Sequence, residues 1–167
     1  MERLAVSLLG DALDATHDPV ALLAFASDGR ERVGLTRVKD FDEPFGVAAR
    51  SRLAGVESGL STRLGAALRH AGTELERRRA FRRLVLVMTD AEPSDIDVTD
   101  PLDLVEDAAR AMARLRDRGI DVLGIAMGKG AAERATRIFG RSGYVTVASP
   151  SELPSRFADL YFRLSRR

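Results

Sequence analysis

Asp90 is the residue whose setting first suggests chemistry. It follows directly on Leu84 to Thr89 (LVLVMT), an apolar run with the composition of a strand buried on both faces. Its carboxylate would therefore project from a strand's carboxyl end, which is where open α/β sheets bind ligands. Glu92, Asp95 and Asp97 follow closely and thicken the negative charge. Two readings fit. One is a solvated acidic loop leading into the next helix. The other is part of a divalent-cation site, since hard ions such as Mg²⁺ seek carboxylate and hydroxyl oxygens. Thr62, after Gly59-Leu60-Ser61 at the start of an upstream helix, is a second candidate ligand, although its type and place also suit a helix cap.

Other chemistries find less support. Gly128-Lys129-Gly130 stands between a strand and a helix, where phosphate loops occur. It matches neither G-x-G-x-x-G nor G-x-x-x-x-G-K-[ST], so it reads as a tight turn. A metal-dependent phosphate-handling enzyme, with Asp90 on metal and Lys129 on phosphate, is the alternative from another class. The absence of cysteine removes thiol catalysis, disulfides and Cys-based metal sites. His17 and His70 lie far apart and have no neighbouring pattern of a nucleophilic triad, and no G-x-S-x-G occurs. The expectation is a protein without catalytic residues.

Twenty-six basic against 25 acidic residues leave a net charge of +1, which argues against a nucleic-acid binder that must neutralise many phosphates. All the basic residues except Lys39 and Lys129 are arginine, a bias that reads first as codon usage. Glu76 to Arg83 (ERRRAFRR) raises the question of an anionic partner. Cations at a helix C-terminus also suit the macrodipole, so a solvated helix end is the plainer reading. No apolar run approaches the ~20 residues of a membrane span. The start MERLAVSLLGDALD lacks a cleavable signal pattern, so a cytoplasmic location without membrane insertion is expected.

The elements that must position Thr62 and Asp90 follow from periodicity. Residues 2–16 place Leu4, Leu8, Leu9, Ala12 and Leu13 on one helical side, ending at His17-Asp18-Pro19. Val20 to Ala26 (VALLAFA) reads as a buried strand, and Glu31 to Lys39 alternates as its hairpin partner at a sheet edge. A modest helix over 45–54 and a second from near Thr62, with Ser61 as its cap, precede the strand at 84–88. Asp100-Pro101 opens a long helix to Arg118, with Val105, Ala109, Met112 and Leu115 inward. A strand over 120–127, a helix to Phe139, a strand over 144–147 and a final amphipathic helix from Pro150-Ser151 complete one 167-residue α/β domain. Buried strands alternating with helices imply a doubly wound, mostly parallel sheet with an antiparallel edge strand.

Four segments in order carry a resemblance: Phe25 to Phe45, Gly59 to Gly72 (GLSTRLGAALRHAG), Arg82 to Asp97 (RRLVLVMTDAEPSDID) and Ile138 to Val147 (IFGRSGYVTV). Together they resemble a von Willebrand factor A domain, and in particular that of the NorD/CbbO-type activators. The resemblance covers nearly the whole chain. It implies a Rossmann-like fold and a metal-ion-dependent adhesion site (MIDAS) for Mg²⁺, built from three loops. Thr62 matches the second loop and Asp90 the third, while Ala91 stands where many members have Gly. No D-x-S-x-S, the first loop, occurs in these residues. Met1 is expected to fall just after it, which leaves the central strand out and any Mg²⁺ weakly held.

The function so implied is protein adaptation rather than catalysis. Such a domain partners a MoxR-type AAA+ ATPase (NorQ/CbbQ-like) in maturing or activating a client, and an acidic side chain of the client completes the metal shell. The client would be nitric oxide reductase, or Rubisco in the CbbO reading. Glu92, Asp95 and Asp97 are the candidate partner-contacting residues beside the metal.

Overall fold

A computed structural model describes residues 2–57, 61–128, 130–153 and 155–156, without the side chain of Glu2. Among the described residues, five α-helices and five strands follow one another in the expected order. The chain divides into two compact units: Met1–Phe25, Leu35–Gly59 and Val147–Arg167 form the first, and Ala26–Gly34 with Leu60–Thr146 the second.

The first unit holds α1 (Glu2–Asp14), most of β1 (Leu22–Ser27) and β2 (Val33–Lys39), and α2 (Val47–Ala54). β1 and β2 form a two-stranded sheet whose connecting turn, residues 26–34, belongs to the second unit. β2 alternates between sheltered Val33, Leu35 and Arg37 and exposed Gly34 and Thr36, as its sequence requires. The core here gathers Val38, Phe45, Ala49 and Leu53, with Val6, Leu22, Ala24 and Val56 against them. Gly10 on α1 is required by this packing, because a Cβ there would lie 2.6 Å from the Phe45 ring. The buried Lys39 ammonium donates to the carbonyls of Val20 at 2.7 Å and Asp40 at 3.2 Å, so its burial leaves no orphaned donor.

α1 keeps the expected face except at its start: Leu9 is buried and Leu8, Ala12 and Leu13 are half-buried, while Leu4 is exposed and Ala5 is buried in its place. The helix ends at Asp14, and His17 takes a left-handed conformation at φ 60° just before Asp18-Pro19.

The second unit is built on a three-stranded sheet in the order β3 (Arg83–Thr89), β4 (Ile120–Met127), β5 (Tyr144–Val147). β3 and β4 run parallel, from Arg83 opposite Ile120 to Thr89 opposite Ala126. β3, with the composition of an interior strand, is thus the outer strand of its sheet.

α3 (Leu64–Glu76), α4 (Pro101–Asp117) and α5 (Ala131–Phe139) pack in this unit. α4 is capped by Asp100, whose carboxylate accepts from Leu102 N at 2.9 Å, with Pro101 in the first turn. Its buried stripe is Leu104, Val105, Ala108, Ala111, Met112 and Leu115, so Ala108 rather than Ala109 faces inward. α3 and α4 approach closely because Gly65 and Gly72 stand where a Cβ would meet Asp107 Oδ2 at 2.0 Å and Leu115 Cδ2 at 2.2 Å.

At the far end, the described chain shows a short 3₁₀ helix, Pro150–Glu152, with Leu153 buried. Leu153, Ser155 and Arg156 are helical, and the expected final helix beyond Arg156 lies outside the described residues, as does Lys129.

Candidate metal and partner site at the carboxyl end of β3

Residues 61–63 remain extended and do not begin the helix. Ser61 pairs with Ser27 in an isolated antiparallel bridge, with N–H to O distances of 2.7 Å and 3.0 Å. Thr62 N donates to Ser94 O at 2.9 Å. These ties hold the backbone out of helical geometry, so α3 starts at Leu64 with Arg63 at its N-cap and no side-chain cap. Ser61 does not serve as the expected cap for this reason.

Thr62 is brought directly against the loop that follows β3. Besides the bond to Ser94, its Oγ1 lies 3.5 Å from Glu92 O, a long contact that leaves the hydroxyl lone pairs open. Asp90 sits at the end of β3 and is exposed. Its Oδ1 accepts from Glu92 N at 2.9 Å, closing a local turn, and Oδ2 has no partner among the described residues. Between these residues the chain makes an unusual turn. Ala91 is fully buried with φ 59°, and its N–H donates to Thr89 Oγ1 at 3.0 Å. Arg134 on α5 braces the turn by donating to Ala91 O at 3.1 Å and pairing with Glu92.

Of the other two acidic candidates, Asp95 faces inward and Asp97 stays partly exposed. The Asp95 side chain is 0% exposed. Its Oδ1 accepts from Gly29 N and Ile96 N, both at 2.8 Å, and its Oδ2 from Arg63 Nε at 2.6 Å. Burial alone would push this carboxyl up. Hydrogen bonds from the Ser27 side chain, the two backbone N–H groups and Arg63 outweigh it and hold Asp95 below the usual carboxylate range. Arg63 also pairs with Asp97, which accepts from Arg30 N at 2.8 Å. Burial pulls the Arg63 guanidinium down, but bonds to Asp95 and Asp97 and their charges raise it above its ordinary value.

The result is a clasp that fastens the β1–β2 turn, the start of α3 and the loop after β3 to one another. Sequence reasoning passed over Ser27, Gly29, Arg63 and Arg134. The signal for Arg63 was its place beside a candidate ligand and its sign opposite to the acidic run.

The donor set at the end of β3 is one hydroxyl and one free carboxylate oxygen, hard ligands that suit Mg²⁺ in kind. In number they fall short of a closed shell. Among the described residues no group of three or more His, Cys, Asp or Glu is placed to hold a metal ion. Among the same residues no helix is long and apolar enough to cross a membrane.

A family model for the von Willebrand factor type A domain matches residues 1–158. Protein NorD of Brucella abortus is 34% identical over 165 residues, which cover 99% of this chain and 26% of NorD. An uncharacterized protein of Pseudomonas aeruginosa is 37% identical over 159 residues, covering 95% of this chain and 26% of its own length. The chain spans about a quarter of the length of the curated relatives it matches. Among solved structures, the conserved hypothetical protein BatB from Bacteroides thetaiotaomicron superposes with a TM-score of 0.66 at 20% identity, over 99% of this chain and 87% of that one. At that identity the likeness speaks for the fold alone.

Proposed function

The chain belongs to the von Willebrand factor type A family, and from that premise we propose that it is a non-catalytic adaptor domain of a NorD-like activator. Its relatives named NorD support that assignment at 34% identity across the chain. In this reading the 167 residues act as one A-type domain that presents a client to a MoxR-type AAA+ ATPase, the client being nitric oxide reductase.

The observation that carries the reading is the direct hydrogen bonding of the Thr62 backbone to the loop after β3. It sets a threonine hydroxyl and the exposed Asp90 carboxylate at one end of β3. Thr62 and Asp90 would hold a Mg²⁺ ion there, with water in most of its shell. The ion's contribution is an open coordination position for a carboxylate of the client. Glu92 lies on the rim, exposed and paired with Arg134. Asp95 and Asp97 contribute by fixing the loops rather than by reaching the client. Because Mg²⁺ gives up water reluctantly, two protein ligands hold it weakly, and binding of ion and client should be mutually dependent.

Affinity capture of purified nitric oxide reductase on the immobilised chain tests the proposal. Retention in Mg²⁺, lost in EDTA and in Asp90→Ala, is expected. Retention indifferent to both would remove the metal from the account. Rubisco run in parallel distinguishes the CbbO-like client.

A further inference from the structure

We propose that the loop joining α3 to β3 is a second docking surface, made to receive an acidic segment of a partner protein around the side chain of Phe81. The proposal extends the adaptor reading, and rests on it for the occupant being a protein.

Phe81 is the most exposed large hydrophobic residue among those described, at 110%. Cationic side chains surround it in sequence: Arg77, Arg78, Arg79, Arg82 and Arg83. The loop is held at its neck. Arg83 Nε and Nη2 donate to Arg78 O at 3.2 Å and 3.0 Å, and Arg82 Nε pairs with Asp121 at 2.9 Å. Arg77 and Arg79 are exposed and have no ion-pair partner among the described residues. A phenyl ring and two unpaired guanidinium groups are thus presented on a pinned turn, which lowers the ordering cost of binding. Arginine and aromatic side chains are the residues that most often anchor protein interfaces. Guanidinium groups also take carboxylates in bidentate geometry.

Position supports the same use. The loop precedes Arg83 and the candidate metal site follows Thr89, so the seven residues of β3 separate them by about 20 Å. An adaptor needs two such separate faces.

The charge count favours a protein over other anions. Two unpaired arginines fall short of the roughly 4–8 basic residues that mark an anionic-lipid site. A flat membrane would also meet the carboxylates of Glu76 and Asp121, which are engaged with Arg118 and Arg82 at the same end of the sheet. A narrow acidic segment meets only the loop. Nucleic acid is disfavoured by the overall charge of +1.

The test is fluorescence anisotropy with a fluorescein-labelled peptide in which Asp and Glu flank a Leu-Leu pair, against its Asn/Gln counterpart. Vesicles of phosphatidylcholine with phosphatidylglycerol and a single-stranded oligouridine are run beside it. The acidic peptide should bind, and Phe81→Ser and the pair Arg77→Glu/Arg79→Glu should each weaken it about tenfold or more, the scale of a lost interface anchor. Phe81→Ser should leave thermal unfolding unchanged, and the charge reversal at the end of α3 should lower it only slightly, through the helix dipole that cations there suit. Equal binding by the variants, or binding of vesicles or RNA in place of the peptide, overturns the proposal. Peptide binding should be indifferent to EDTA and to Asp90→Ala. Loss of metal-dependent client capture with peptide binding intact would therefore fault the metal face alone.

Discussion

Arg63 Nε donates to Asp95 Oδ2 at 2.6 Å while the other end of the same guanidinium pairs with Asp97. With Asp95 wholly out of solvent and Arg63 18% exposed, this is a buried ion pair whose remaining lone pairs are taken by backbone N–H groups and Ser27. Such a pair contributes little relative to an apolar replacement, but breaking it from one side leaves a stranded charge. Its role is geometric: it fastens Thr62, the residue next to Arg63, to the loop that carries Asp90.

Asp95→Ala should therefore cost about 3 kcal/mol, the lower end of the range for a broken buried pair. Arg63→Ala should cost a similar amount by stranding Asp95. Chemical denaturation of both variants and of the double variant gives the coupling. If the double variant costs the sum of the two, the clasp is not one unit.

The pair also sets an acid limit. Asp95 has a folded-state pKa below its unfolded value, so the unfolded chain binds the proton more readily. Its stabilisation is present in full above the ordinary carboxylate range and is lost as pH falls through the folded value. Denaturation midpoints measured from neutral pH downward should fall in that acid window. Asp95→Asn should flatten the fall, and an equally steep decline in that variant would assign it to other groups.

Ala91 offers a test of the turn after β3. Its left-handed conformation costs about 1 kcal/mol for a residue with a Cβ, while the buried methyl contributes about 0.8 kcal/mol. Ala91→Gly relieves the first, loses the second and adds freedom to the unfolded chain, so its stability should stay within about 0.5 kcal/mol of the parent. Ala91→Val adds branching at a buried position with positive φ, and should lose about 2 kcal/mol or more. A stable valine variant would mean that the turn is not held as described.

Much of this was legible in the sequence, and the failures have local causes. The order of elements, β4 and α5 follow from unbroken apolar runs and from glycines at helix ends. In α1 periodicity erred only at the first turn, because leucine at position 4 outweighs alanine at position 5 in any apolar count, yet the alanine is the one buried. The start of α3 was misplaced because Ser61 and Thr62 have capping side chains, and only the long-range partners Ser27 and Ser94 reveal that their backbones are engaged elsewhere. For the candidate site, the sequence pointed to Asp90 and Thr62 but could not sort the acidic run. Asp95 and Asp90 look alike in one dimension, and burial beside Arg63 separates them. The gathering of strands into two sheets also depends on pairing partners that periodicity does not encode.

Gly65 tests the α3–α4 seam. A methyl at this position would reach Oδ2 of Asp107, a carboxylate held by the Arg69 guanidinium through two bonds of 3.0 Å, one to each oxygen. Gly65→Ala gains helix propensity of about 1 kcal/mol but forces the helices apart or breaks that fork, so a net loss of about 1–2 kcal/mol is expected. A stabilised Gly65→Ala variant would show that α4 yields at no cost.

In the proposed reading Thr62 and Asp90 face one divalent cation together. Titrating Mn²⁺, a paramagnetic substitute for Mg²⁺, while recording amide NMR spectra addresses it on the chain itself. Broadening should appear first around Thr62 and Asp90 to Glu92, require high metal concentration, and disappear in Asp90→Ala, a variant whose exposed site should leave stability within about 0.5 kcal/mol. Broadening spread evenly over the acidic surface, or unchanged in Asp90→Ala, would contradict it.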